Sequence, residues 1–150
     1  MDSNDEVRIS DYRALAEFRY QIRRFMHFSE RMARSAGLEP QQHQMLLAIK
    51  GLPPGRTATI GELAERLQLQ HHSTVELIDR LVERGFVERR RDDPDDQRRV
   101  HVYLTPAGEG ILLKLSAIAL AELRSTGPAL VRALNVLIDD NGEHIANEQR

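Results

Sequence analysis

Apolar residues recur at helical spacing over most of the chain. Over residues 9–36 they fall at Tyr12, Leu15, Phe18, Ile22, Phe25, Met26, Met32 and Ala33, with Ser29 in the same stripe. That spacing predicts one long amphipathic helix. Gly37 stops it, and Pro40 suits the first turn of a second helix running to residue 49. Gly51-Leu52-Pro53-Pro54-Gly55 reads as a loop, and Thr57-Ala58-Thr59-Ile60 as a short extended segment. Thr59 and Glu62 have capping-box spacing for a short helix over residues 62–67. A further helix follows with Thr74, Leu77, Ile78 and Leu81 on its buried stripe, ending at Gly85.

The pattern then changes period. Residues 86–91 and 100–104 read as strands, the second with Val100, Val102 and Leu104 on one face. Asp92-Asp93-Pro94-Asp95-Asp96-Gln97 between them has turn chemistry and makes them a hairpin. Thr105-Pro106 opens a long helix to about residue 126. Gly127-Pro128 is expected to break it, and a last apolar helix carries Leu130, Val131, Leu134, Leu137 and Ile138 before the polar residues 139–142.

The fold class is therefore mainly α with a small β-hairpin. Two short helices followed by a hairpin describe a winged helix-turn-helix. A winged core is expected over residues 37–105, long dimerisation helices over 9–36 and 106–140, and a polar tail over 141–150. The outer helices are too apolar for so small a centre to cover, which calls for a second copy of the chain.

Composition narrows the chemistry. With 150 residues, 41% hydrophobic and 29% charged, the chain reads as a single globular domain. The absence of cysteine excludes disulfides, zinc–thiolate sites and iron–sulfur clusters. The six histidines have no chelating spacing, so neither metal nor cofactor is expected. There is no Gly-rich phosphate loop and no nucleophile elbow, which argues against an enzyme. No apolar run is long enough to span a bilayer, and the first six residues are acidic where a secretory signal is basic; the expected location is the cytoplasm. Of 21 basic residues all but Lys50 and Lys114 are arginine, a bias that suits phosphate contact and equally reflects genomic base composition.

Gly61-Glu62-Leu63-Ala64-Glu65-Arg66-Leu67 and the run Leu77-Ile78-Asp79-Arg80-Leu81-Val82-Glu83-Arg84-Gly85-Phe86-Val87-Glu88-Arg89 resemble the MarR family of bacterial transcriptional regulators. Asp93-Pro94-Asp95-Asp96-Gln97-Arg98 and Leu104-Thr105-Pro106-Ala107-Gly108 resemble its wing and exit. The resemblance implies a homodimer with interlocked terminal helices and two winged domains on a pseudopalindromic operator, most simply a ligand-responsive repressor. The chain departs from many members at Gln70-His71-His72-Ser73-Thr74-Val75-Glu76 and at Gln97, where a wing arginine is common.

On a reading helix that buries Thr74, Leu77, Ile78 and Leu81, the outward residues are His71, His72, Ser73, Val75 and Glu76, together with Asp79. Ser73-Thr74-Val75-Glu76 is also a capping-box pattern, so Glu76 is open between accepting from a cytosine and capping the helix. Arg98 and Arg99 sit where a wing meets a minor groove, and Asp96 is expected to orient Arg98. Residues 79–99 hold seven arginines against seven acids, so binding must rest on placed contacts. Five of the seven aromatics lie on the first helix beside arginines. They are either dimer core or, with Phe18, Arg19, Arg23, His27 and His43, a pocket for a small aromatic or phenolic effector, the ligand type to which the resemblance points. The rival reading is a winged-helix module that binds protein, which calls for an apolar or acidic wing.

Overall fold

Thr59 decides where the helix-turn-helix begins. In the computed structural model, which describes residues 6–139, the Thr59 hydroxyl accepts the Glu62 amide at 3.2 Å and starts α3, Ile60–Leu67. The Glu62 carboxylate does not close the capping box, turning instead to Arg66 at 3.2 Å and Arg56 at 3.7 Å. Gln68 ends α3 in the left-handed region, φ 53°, and its side-chain amide donates to the Glu65 carbonyl at 2.8 Å. That local bond offsets part of the steric cost of the conformation. Three residues, 68–70, then separate α3 from α4, His71–Glu83.

Helix α4 buries Thr74, Leu77, Ile78 and Leu81, the stripe its periodicity predicts. Its start corrects one expectation. Gln70 occupies the N-cap position, and both the amide and the hydroxyl of Thr74 donate to the Gln70 carbonyl. Ser73 therefore lies inside the helix, and Glu76 does not cap it.

The flanking elements are α1, Ile9–Ser35; α2, Pro40–Lys50; β1, Val87–Arg90; β2, His101–Leu104; and α5, Pro106–Ile138. Strands β1 and β2 pair antiparallel, with Val87 opposite Leu104 and Arg90 opposite His101. The ladder is shorter than the pattern of residues 86–91 and 100–104 suggests. The loop backbone finds other partners: the Asp93 carboxylate takes the amides of Asp95 and Asp96, and the Asp96 carboxylate takes that of Arg98. The extended segment before α3 reduces to one bridge, Thr59 with His101, and a bond from the Val102 amide to the Ala58 carbonyl. Ile60 is already helical.

Residues 30–117 form one compact unit, so the last turns of α1 and the first of α5 belong with α2–α4 and the hairpin. Leu38, Met45, Leu46, Leu63, Ile78, Leu81, Val87, Val102 and Leu115 are fully buried in it. Thr105 caps α5 by accepting the Gly108 amide at 3.1 Å, and its own hydroxyl donates to the Gly85 carbonyl. The described flanks, residues 6–29 and 118–139, belong to a second unit. There Ala133 is buried, and a shallow groove is lined by Ser10, Arg13, Ala14, Glu17, Ala133 and Val136. Among the described residues no helix is long and apolar enough to cross a membrane.

Gly127-Pro128 does not break the C-terminal segment: α5 runs through Pro128 as one helix of 33 residues. Proline removes a single helical bond, to the Arg124 carbonyl. Arg124 and Pro128 are both exposed residues, and the Thr126 hydroxyl bonds back to the Glu122 carbonyl at 2.9 Å in the same turn. Pro128→Ala is expected to stabilise the fold by roughly 1–3 kcal/mol, less the entropy that proline removes from the unfolded chain. Thermal unfolding of the two proteins checks this. The expected tail, 141–150, and the end of the helix at residue 140 lie outside the described residues.

Candidate nucleic-acid interface

Gln70 holds the N-cap position without a side-chain bond, so the first turn of α4 has polar side chains and backbone amides that no side chain caps. His71, His72 and Glu76 are exposed, and Ser73 and Val75 are half-buried. Asp79, on the same helix, is tied to Arg89 of β1 by an ion pair. The expected readers thus share one helical end, and Asp79 is engaged elsewhere.

In the wing loop, residues 91–100, the Arg98 side chain is 97% exposed. Asp96 touches it in two ways. Its carboxylate accepts the Arg98 amide at 3.0 Å, and the guanidinium Nε stands 3.9 Å from the same oxygen. The backbone bond is the stronger by distance, so Asp96 fixes the base of the arginine more than its head. Arg99 has an ion-pair partner in Asp93 at 3.9 Å.

The sequence reading missed Asp92. Its two carboxylate oxygens accept from Tyr103 at 2.6 Å and His101 Nδ1 at 2.8 Å, both on β2. These bonds, that from Tyr103 first, hold the Asp92 carboxyl below the usual carboxylate range, and the same contact raises the Tyr103 phenol. The available signal was His-x-Tyr on a strand, which puts both side chains on one face.

The proposed effector residues are scattered in environment. Phe18 is half-buried, and Arg19, Arg23 and His27 are exposed. His43 is buried on α2, its Nδ1 has no hydrogen-bond partner, and burial lowers its pKa. None of the five lines the groove of the second unit or two clefts of the first. Those clefts, about 380 Å³ each, are bordered by Lys50, Arg56, Arg90 and His101, and by Arg34, Gln42 and Arg80.

The His43 shift has a consequence for stability. A depressed histidine pKa means the unfolded chain takes up the proton first, so the contribution of the neutral ring is intact above the ordinary value of 6.5 and is lost as pH falls below it. Between pH 7.5 and 5.5 the melting temperature of the native protein is expected to drop more than that of His43→Gln. Equal slopes for the two proteins would remove the burial argument.

The MarR family model matches residues 36–99, which take in α2, α3, α4, β1 and most of the wing loop. Over that stretch the chain is similar to the MarR family. A curated relative, the uncharacterised HTH-type transcriptional regulator YsmB of Bacillus subtilis, is 44% identical over 54 residues. That match spans 36% of each chain, about a third of the relative's length. The MepR–DNA complex of S. aureus superposes with a TM-score of 0.64 at 16% identity, covering 89% of this chain and 95% of that one. BpsR of Bordetella bronchiseptica, whose DNA binding is described as regulated by 6-hydroxynicotinic acid, gives 0.62 at 21% identity over 83% of this chain and 94% of its own. At these identities the structural likeness shows the fold, and that fold is the MarR winged helix with long terminal helices.

Proposed function

We propose that the chain is a cytoplasmic, DNA-binding transcriptional regulator, not an enzyme, that sits on a pseudopalindromic operator as a homodimer. The observation that carries this reading is the pairing of an outward polar first turn on α4 with a wing whose Arg98 is 97% exposed. His71, His72, Ser73, Val75 and Glu76 contact base edges or phosphates in the major groove. Arg98 and Arg99 enter the neighbouring minor groove, where the narrow walls concentrate negative potential. An arginine wing is not the apolar or acidic wing that protein recognition calls for.

Dimerisation is supported by the terminal helices. Tyr12, Leu15 and Tyr20 on α1, with Val131, Leu134, Val136 and Ile138 on α5, stay exposed in the single chain. An apolar surface of this extent on a soluble protein marks an interface. Light scattering at micromolar concentration is expected to give twice the 17.1 kDa chain mass; a monomer would contradict the reading. The aromatic acid named for BpsR is of the class proposed for Phe18, Arg19, Arg23, His27 and His43, and supports a repressor released by a small effector.

The test is selection of duplexes from a randomised library by the purified protein, followed by affinity measurement at fixed salt. Enrichment of a two-fold symmetric sequence is the expected result, and failure to enrich any sequence would overturn the proposal.

A further inference from the structure

A ten-residue loop that carries reading side chains loses conformational freedom when it docks, and that loss weakens binding unless the loop is ordered beforehand. The wing loop, residues 91–100, has such an ordering device at its base. Asp92 is the second residue beyond β1, and both its oxygens are held by β2, by the Tyr103 hydroxyl at 2.6 Å and His101 Nδ1 at 2.8 Å. His101 and Tyr103 share a strand face, and the Arg90 guanidinium lies over the Tyr103 ring, 4.4 Å from its centroid. A carboxylate only accepts, so His101 Nδ1 carries the proton of this bond. The ring's Nε2 is buried and has no partner. A buried polar atom without a partner is unfavourable, so the ring is kept in place by what its other nitrogen does.

From Asp92 the bonds continue toward the tip. Asp93 takes the amides of Asp95 and Asp96, Asp96 takes the amide of Arg98, and the Arg91 guanidinium reaches the Gln97 carbonyl across the loop. We propose that Asp92, His101 and Tyr103 are positioning residues that clasp the base of the wing and thereby set the aim of Arg98 and Arg99. The inference rests on the DNA-binding reading above and adds to it three residues that touch no base.

The experiment uses the full chain and a duplex selected from a random library by the native protein. Tyr103→Phe keeps the ring beneath Arg90 and removes only the hydroxyl. It is expected to weaken binding roughly three- to tenfold, the effect of one hydrogen bond, with dimerisation and melting little changed. On an Arg98→Ala, Arg99→Ala background the same change should cost nothing further, because the groups it aims are gone. His101→Asn, whose amide nitrogen stands in for Nδ1, should keep most of the affinity, and His101→Leu should not. In the free protein, ¹⁵N relaxation of the amides of residues 92–99 should report greater nanosecond motion in Tyr103→Phe. Equal losses on both backgrounds, or unchanged relaxation, would overturn the clasp. If the native protein enriches no duplex, the DNA-binding reading fails, and relaxation of the free wing then decides the clasp alone.

Discussion

Arg98→Ala is expected to weaken operator binding by about 1–3 kcal/mol, roughly five- to 150-fold, while leaving the fold and dimer intact. The side chain is 97% exposed and carries no packing, so its removal creates no cavity. Its nearest acid, Asp96, keeps the backbone bond at 3.0 Å whatever stands at residue 98. The comparison must be made at one salt concentration, because phosphate contacts weaken steeply as salt rises. An unchanged dissociation constant would take the wing out of recognition. Asp96→Ala should act in the same direction by freeing the Arg98 amide, and a gain in affinity would mean that its charge only repels phosphate.

Gly108→Ala is expected to destabilise the protein by about 1–3 kcal/mol, against the usual benefit of replacing glycine in a helix. A Cβ at Gly108 would run into the carbonyl oxygen of Phe86, with the carbonyl carbon at 3.1 Å. That carbonyl already accepts the Thr105 amide at 3.1 Å, in the joint where β1, the Thr105 cap and the first turn of α5 meet. Backbone rather than a flexible side chain must give way. Gly110→Ala supplies the control: it lies in the same helix, meets nothing within 4 Å, and should stabilise by up to about 1 kcal/mol. Urea unfolding of the pair should give opposite signs. If both variants gain stability, the contact with Phe86 is not a tight one.

Much of this architecture was legible because local chemistry and burial agree. Thr74, Leu77, Ile78 and Leu81 announce the inner face of α4 by spacing alone, and Thr59 and Thr105 are caps in sequence and in structure. The misreadings came where two local rules compete. Gly127-Pro128 carries a strong breaking signal, yet one lost bond on an exposed helical face is a small matter beside the continuity of the turns around it. Ser73-Thr74-Val75-Glu76 has the form of a cap, but the Thr74 hydroxyl bonds to Gln70 and the helix starts a turn earlier. Asp92 was invisible for another reason. Within four acids in a turn nothing marks the one whose partners lie nine and eleven residues ahead, since that depends on the register of β1 with β2.

The ion pairs of the residues proposed to face DNA bear on non-specific binding. Arg89 rests on Asp79, Arg90 on Glu88, Arg98 on Asp96 and Arg99 on Asp93. In the DNA-binding reading proposed above, a duplex of arbitrary sequence competes with these carboxylates for four of the seven guanidinium groups of residues 79–99. The entropy that ordinarily drives basic proteins onto any stretch of DNA is thereby reduced, and lateral diffusion along the helix has little to hold it. For the DNA-binding reading proposed above, the consequence is a shallow salt dependence of non-specific binding.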